Sequence, residues 1–246
     1  MDITKLTWPS IQETLPNLDA LLIPLGSTEQ HGPHLPVNND TFIAISLARI
    51  IVGEAVKRGG RFAVGITIPF GCSDHHIAFP GTVSVSGATY KSLLKEVALC
   101  YRRHGVHGLV FINGHGGNSS TVKAAIEELK AEADWRLLSL FNYWEHLYDV
   151  AIDVLDSRFF CHACEGETSL AKALGQQVWE AEVYDALKEN PDLAQYNLLN
   201  GEAFTLPRVD QISQKGVIGN PSRATKEKGH LLIRAIADAA IRLFTG

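Results

Sequence analysis

Three short segments of the chain are almost wholly apolar, and each leads directly into a loop rich in His, Asp, Asn or Gly. These segments are residues 19–25, 62–68 and 108–112. One more strand-like run lies at 136–141. Apolar residues with helical spacing occur at 41–57, 88–103, 119–133, 143–155, 167–189 and 226–244. Strands that read as continuous apolar runs are typical of a parallel sheet covered on both faces. The alternation therefore predicts an α/β fold with a mostly parallel central sheet, whose polar loops share one edge.

The composition limits the kinds of partner that we expect. The 246 residues are enough for a single domain, 1–246, with a substantial core. A net charge of −5 leaves no basic surface for nucleic acid, and no apolar stretch reaches the roughly 18 residues of a membrane span. Four cysteines in a chain of this length do not make a disulfide framework, which favours a reducing cytoplasm.

The first polar loop carries four side chains of the metal-ligand type within residues 29–40: Glu29, His31, His34 and Asp40. In open α/β sheets ligands bind at the carboxyl ends of the strands, and mixed imidazole and carboxylate groups suit Zn, Mn or Fe. The alternative is a solvated loop in which Asp40 caps the helix that follows it. His34 has no clear partner, and its side chain is expected either to face solvent or to line the pocket.

The third polar loop, residues 113–118, places His115 among glycines between a strand and a helix. Such a turn can present the imidazole as a ligand, while main-chain N–H groups near Gly116 and Gly117 face an anion or oxyanion. The alternative is a tight connection in which Asn118 or Ser119 caps the helix. A phosphate cradle is disfavoured because the lysine of that motif is absent.

Two other segments hold histidines and carboxylates. In residues 161–169, Cys161 and Cys164 lack the second cysteine pair of a structural zinc site, so His162 and Glu167 are the better candidates for chemistry. The alternative for the acidic residues there is compensation of a helix dipole. In residues 73–76, the adjacent His75 and His76 are expected to point apart, so that at most one faces a site.

Five segments resemble, in order, the motifs of the creatininase (creatinine amidohydrolase) family: residues 26–36 with Asp40, 73–76 with 79–82, 113–118, 162–169 and 216–221. The similarity spans nearly the whole chain, and five ordered motifs are far more specific than one. The resemblance implies a three-layer αβα metallohydrolase with two divalent metal ions (Zn, Mn or Fe) per subunit. It also implies a homo-oligomer, often a hexamer.

By motif position, the resemblance assigns metal ligation to Glu29, His31, Asp40 and His115, with Asp40 as the bridge. Creatininase itself has an acidic residue two positions after the histidine of the glycine loop, and here that position is Gly117. Family members with this glycine loop take the last ligand from a later glutamate, which corresponds to Glu167, with Glu165 as the fallback. Ser73 corresponds to a substrate-pocket position and His162 to a proton-handling one.

The resemblance implies hydrolysis of a non-peptide C–N bond in a small or cyclic amide by a metal-bound hydroxide. Gly116 and Gly117 would help to bind the substrate, and His162 would protonate the leaving nitrogen. The glycine at position 117 argues against creatinine itself. The alternatives are a formamide deformylase of a ring-opened pyrimidine and a non-catalytic, metal-dependent small-molecule binding protein. Specificity is expected from residues 143–160 and 190–215, which include Trp144, His146, Tyr148, Phe159 and Phe160.

Overall fold

The structure is a computed structural model that describes residues 1–158, 160–186 and 208–245. A parallel sheet of four strands in the order β2-β1-β3-β4 forms its centre. The strands are β1 (Ala20–Leu25), β2 (Phe62–Val64), β3 (Gly108–Asn113) and β4 (Leu137–Asn142). In the register of the sheet, Leu22 of β1 pairs with Val64 on one side and with Val110 on the other.

Helices cover both faces of the sheet. They are α1 (Trp8–Thr14), α2 (Asn39–Lys57), α3 (Gly87–Arg103), α4 (Ser119–Glu132), α5 (Tyr148–Val154), α6 (Glu165–Leu174), α7 (Glu180–Ala186), α8 (Val209–Ile212) and α9 (Lys226–Thr245). Leu22 and Val110 pack with α2, α6 and α9, whereas Leu21 and Leu109 pack with α3 and α4. Successive strand residues point to opposite faces, so a strand covered on both faces is apolar throughout. The predicted three-layer αβα fold is confirmed.

The second strand is shorter than predicted. β2 ends at Val64 rather than at residue 68, although the chain continues beside β1. Gly65 N donates to Leu22 O (2.8 Å) and Ile68 N donates to Pro24 O (2.9 Å). The chain therefore advances three residues, from Gly65 to Ile68, while β1 advances two, from Leu22 to Pro24. The extra residue is a bulge-like insertion that interrupts the ladder.

Two predicted helices are divided. The stretch 143–155 is a 3₁₀ turn, Tyr143–His146, followed by α5. The stretch 167–189 contains α6, which begins earlier, at Glu165, and ends at Leu174, and then α7 from Glu180; residues 187–189 lie outside the described residues. Gly175 ends α6 because it adopts a left-handed conformation (φ 85°) that glycine tolerates without strain.

The loops that follow β1, β2 and β3 lie at the carboxyl edge of the sheet, as predicted for parallel strands. The first turns of α2 and α6 approach the same edge. None of the helices in the described ranges combines the length and the apolarity that crossing a bilayer requires.

Candidate metal centre

Three carboxylates from different parts of the chain are buried together at this edge. Glu29 lies in the loop after β1, Asp40 in the first turn of α2 and Glu167 in the first turn of α6, and their exposed fractions are 0%, 2% and 7%. His31 Nε2 is 2.8 Å from Asp40 Oδ1 and 3.9 Å from Glu167 Oε2. His115 Nδ1 is 3.2 Å from both Glu29 Oε2 and Asp40 Oδ2. The five residues to which the sequence assigns metal ligation therefore converge, with Asp40 between the two imidazoles.

The orientation of both imidazoles is fixed by the main chain. His31 Nδ1 is 3.2 Å from Glu29 O, and His115 Nε2 is 3.1 Å from Cys72 O. A carbonyl oxygen only accepts, so these nitrogens carry the hydrogens and donate. The other nitrogen of each ring then faces carboxylate oxygens, and the two lone pairs repel unless a proton or a cation lies between them. Metal-binding histidines usually donate their second N–H in this way.

The arrangement of donor atoms fits metal ions. Among the residues that the structure describes, three trios have ligand atoms within 4.8 Å of one another: Glu29, Asp40 and His115; His31, Asp40 and Glu167; and Glu29, His31 and His162. In the described part of the chain, His31 Nε2 and Asp40 Oδ2 are buried without a hydrogen-bond partner. Buried polar atoms are nearly always paired, so these converging atoms indicate room for a ligand that accepts lone pairs.

The electrostatics of the cluster favour positive charge. Burial raises the pKa of Glu167 to about 7, and Asp40 and Glu29 act in the same direction. Burial alone would lower the pKa of His31, but the Asp40 carboxylate and its neighbours outweigh it and raise this pKa to about 10. Burial alone would raise the pKa of Asp40, but His31 and His115 hold it well below its usual range. A divalent cation would satisfy the same field that otherwise draws protons onto the imidazoles.

The structure separates the two glutamates at the start of α6. Glu165 accepts hydrogen bonds from Asp156 N (3.0 Å), Ser157 N (2.9 Å) and Lys228 Nζ (2.5 Å), so it faces α9. Glu167 accepts from Ala163 N (2.5 Å) and faces His31. Residues two apart on a helix do not share a face. This geometry supports Glu167 rather than Glu165 as the last ligand.

The capping alternative is wrong for Asp40. α2 begins at Asn39, so Asp40 is inside the helix, and its carboxylate faces His31 and His115 instead of the helix terminus. Asn118 does occupy the N-cap position of α4, but its side chain makes no capping bond there. It accepts from Cys72 N (3.0 Å) and donates to Gly26 O (3.1 Å), so it ties together the loops after β1, β2 and β3.

The expectation that at most one of His75 and His76 faces the site is wrong. Both line the cavity described below, with ring centroids 4.4 Å apart. They lie in a 3₁₀ turn, Asp74–His76, in which consecutive side chains do not alternate as they do in a strand. His76 Nε2 is 3.1 Å from Glu29 Oε1, and the His75 ring stacks on His115 with centroids 5.4 Å apart.

Three other predicted residues lie beside or beneath the cluster. Ser73 is fully buried, with Oγ 2.5 Å from Ser27 Oγ and 3.2 Å from His115 Nε2, and it is not among the residues that line the cavity. Its contact with substrate stays a prediction. His34 is buried with Nε2 3.0 Å from Thr168 Oγ1, so it faces neither solvent nor the cavity. His162 lines the cavity, and its ring centroid is 4.4 Å from that of His31.

The cysteine pair is not part of the metal cluster. Cys161 N donates to Cys164 Sγ (3.3 Å), and neither thiol belongs to a candidate metal trio among the described residues. Burial raises the pKa of Cys161 to about 11 and that of Cys164 further, so both stay protonated at neutral pH.

A cavity of about 340 Å³ lies over the cluster. One side is formed by four of the five candidate ligands, all but His31, together with His75, His76, Gly114, Gly116, Gly117, Cys161 and His162. The remaining wall is apolar, and its residues are Trp144, Phe160, Val209, Ile212 and Ile218. The sequence pointed to Trp144 and Phe160 but gave no reason to choose Ile218, which lies in a turn rich in Gly and Pro.

The other residues expected to set specificity do not line this cavity or are not described. His146 stacks on Phe141 with ring centroids 4.5 Å apart, and Tyr148 is 67% exposed. Phe159 and residues 187–207 lie outside the described residues. The expectation for 143–160 and 190–215 is therefore supported only through Trp144, Phe160, Val209 and Ile212.

We expect Gly117→Ala to disturb the centre, and Gly116→Ala to serve as its matched control. A Cβ at Gly117 would clash with Cys72 O and would lie 2.5 Å from His115 Nε2, whereas a Cβ at Gly116 meets nothing within 4 Å. Overpacking of this kind costs about 1–3 kcal/mol, and here it also displaces a candidate ligand. Urea unfolding and zinc titration of both variants measure the effect. Equal stability and equal zinc affinity of the two variants would show that the close packing of Gly117 has no role.

Comparisons with known proteins found similar sequences and structures along nearly the whole chain. The family model described as "Creatininase: Creatinine amidohydrolase" matches residues 4–244. A mycofactocin precursor peptide peptidase of Mycobacterium ulcerans is 31% identical over 244 residues, which cover 96% of this chain and 84% of that protein. A creatinine amidohydrolase of Pseudomonas putida is 27% identical, with 96% and 95% covered. The crystal structure of a candidate creatinine amidohydrolase from Bacteroides fragilis superposes with a TM-score of 0.83 at 26% identity, with 99% and 94% covered.

The family model and the relatives extend over nearly the whole chain, and the solved structure has the same architecture. The resemblance predicted from the motifs is confirmed: the chain belongs to the creatininase family.

Proposed function

We propose that this protein is a metal-dependent amidohydrolase that cleaves the C–N bond of a small or cyclic, non-peptide amide with the help of two divalent cations. The observation that carries the proposal is the pair of ligand trios, Glu29–Asp40–His115 and His31–Asp40–Glu167, which share Asp40. They lie at one side of a cavity large enough for a small molecule.

The residues of each trio would hold one ion, and Asp40 is common to both trios. Divalent cations held there would lower the pKa of a water from 15.7 to about 7 and polarise a carbonyl oxygen. The protein residues position the substrate between this side and the apolar wall. Gly116 and Gly117 line the cavity, and main-chain N–H groups near them would stabilise an oxyanion.

His162 would move the proton during hydrolysis. Burial and the charge of His31 lower the pKa of His162 to about 3, so its ring is neutral at pH 7. Water oxygen forms the new bond to the carbonyl carbon, a water proton passes to the imidazole, and the imidazole passes it to the nitrogen as the C–N bond breaks. The products are a carboxylic acid and an amine.

We expect His162→Gln to lower kcat by about 10²–10⁴-fold, the usual contribution of general acid–base catalysis, while the metal content stays unchanged. Elemental analysis and steady-state kinetics check both parts. His230→Gln, at an exposed position on α9, is the control. Loss of one ion from the His162 variant would instead identify this histidine as a ligand, as the trio with Glu29 and His31 would allow.

A second candidate function is the trimming of a short peptide. The observation that favours it is the 31% identity to a mycofactocin precursor peptide peptidase over 96% of the chain. The apolar wall of Trp144, Phe160 and Ile218 would also suit a hydrophobic residue of a peptide.

Deformylation of a phosphorylated pyrimidine is less well supported. A Methanosphaera stadtmanae deformylase of a ribosylaminopyrimidine 5'-monophosphate is 25% identical over 63% of this chain. Among the described residues that line the cavity there is no Lys or Arg to bind a phosphate.

The proposal is tested by metal analysis of the purified protein together with a substrate panel. The panel contains cyclic and small amides, N-formyl compounds and short peptides, with detection of the new amine, of formate and of the new peptide terminus. Turnover of non-peptide amides that chelation abolishes and zinc or manganese restores is the expected result. Cleavage of peptides alone would favour the second candidate, and tight binding without turnover would mean a binding protein.

A further inference from the structure

Gln30 lies between two histidines of the site, and the main chain fixes the orientation of its amide. The residue is buried between Glu29 and His31. Gly32 N donates to Gln30 Oε1 (2.8 Å), and the amide oxygen is the only side-chain atom of glutamine that can accept this bond. The amide nitrogen Nε2 therefore occupies the other end, 2.9 Å from His76 Nδ1, 2.9 Å from His162 Nε2 and 3.1 Å from Gly216 O.

One placement of the hydrogens gives every polar atom of this set a partner. Gln30 Nε2 donates its two hydrogens to His76 Nδ1 and Gly216 O. His162 Nε2 then carries a hydrogen of its own and donates it to Gln30 O, 2.9 Å away. If Gln30 Nε2 donated to His162 Nε2 instead, Gln30 O would lose the hydrogen from His162, and either His76 Nδ1 or Gly216 O would lose its donor. Buried carbonyls are nearly always paired, so the first placement is favoured.

This placement decides which nitrogen of each imidazole carries the hydrogen. His76 accepts at Nδ1, so its hydrogen is on Nε2, which lies 3.1 Å from Glu29 Oε1. An N–H dipole at this distance stabilises the charge of the carboxylate. His162 carries its hydrogen on Nε2, so its Nδ1, 3.9 Å from Glu29 Oε1, is an unprotonated acceptor on the side of the carboxylates.

We propose that Gln30 is a positioning residue that selects the Nε2–H tautomer of both His76 and His162. The side-chain amide acts on His76, and the main-chain carbonyl acts on His162. The contact with His76 supports the orientation of Glu29, a candidate metal ligand. The contact with His162 leaves its Nδ1 free to accept the proton in the reaction. The effect on turnover rests on the proposed function, whereas the tautomers are a property of the chain itself.

NMR tests the tautomers directly. Long-range ¹H–¹⁵N correlation spectra of protein labelled at histidine, zinc-loaded and metal-free, show which ring nitrogen is protonated, and single His→Gln replacements assign the signals. The wild-type protein is expected to have Nε2–H at His76 and His162. In Gln30→Glu a carboxylate replaces the donor, so the hydrogen of His76 moves to Nδ1, while His162 keeps Nε2–H because the main-chain carbonyl is unchanged.

Two further variants separate this effect from charge and from folding. Gln30→Met removes the donor without adding a carboxylate, and His76 is then expected to lose its single tautomer. Gln177→Glu, at an exposed glutamine, is expected to leave the spectrum unchanged. In Gln30→Met we expect kcat to fall about 10–100-fold while zinc content and KM change by less than about twofold.

Nδ1–H at either His76 or His162 of the wild-type protein would overturn the proposal, and so would an unchanged His76 signal in both Gln30 variants. If the tautomers respond as expected but no amide of the panel is hydrolysed, the positioning role is upheld and the proposed hydrolase function is the part that fails.

Discussion

Asp40→Asn is expected to leave a folded protein that retains neither cation and has lost more than about 100-fold in kcat, because replacement of even an outer partner of a metal ligand costs 10–100-fold. Asp40 is the residue that the two candidate trios share. The substitution keeps the shape of the side chain but removes the charge that lies 2.8 Å from His31 Nε2 and 3.2 Å from His115 Nδ1. Elemental analysis after reconstitution with zinc, with circular dichroism to confirm folding, measures the result.

The matched control is Asp153→Asn, at an exposed position on α5, which should keep the wild-type metal content and activity. If Asp40→Asn keeps the same metal stoichiometry as this control, Asp40 does not bridge two ions, and the arrangement proposed for the centre is wrong.

The second large effect is expected from a comparison of Glu167→Gln with Glu165→Gln. Glu167 faces His31, so its neutral analogue should lose at least one ion and more than about 100-fold in kcat. Glu165 faces Lys228 and two main-chain N–H groups, so its neutral analogue should keep the metal. It should instead lose about 1–3 kcal/mol of unfolding free energy, because the half-buried ammonium of Lys228 and the two amide donors lose a charged acceptor.

Zinc titration and urea unfolding of both variants give two independent measurements, so each variant is the control for the other. If Glu165→Gln releases the metal while Glu167→Gln retains it, the assignment of the last ligand is reversed.

The position of the site could be predicted from the sequence because parallel strands place their carboxyl-end loops on one edge. His31, Asp40 and His115 each follow an apolar segment that does form a strand, β1 or β3. Apolar runs identify such strands well when both faces of the sheet are covered. The end of β2 could not be predicted, since the bulge after Val64 depends on its pairing with β1 and not on its own residues.

The orientation of individual side chains could not be predicted where it depends on contacts with residues far away in the sequence. The resemblance assigned the last ligand to Glu167 with Glu165 as the fallback, and the contact that supports this choice involves Lys228, which comes from the last helix. The prediction that at most one of His75 and His76 faces the site was wrong because their 3₁₀ turn places both on the same side. The end of α6, by contrast, could have been predicted, because a glycine such as Gly175 is a common helix-stop residue.

The most direct test of the central claim is an anomalous-scattering map from crystals of the protein grown with zinc. We expect two peaks about 3.5–4 Å apart, the usual spacing of two-metal sites, on either side of the Asp40 carboxylate. One peak would lie against Glu29 and His115, and the other against His31 and Glu167. A map with no peak among these side chains, or with a single peak that Asp40 does not contact, would contradict the central claim.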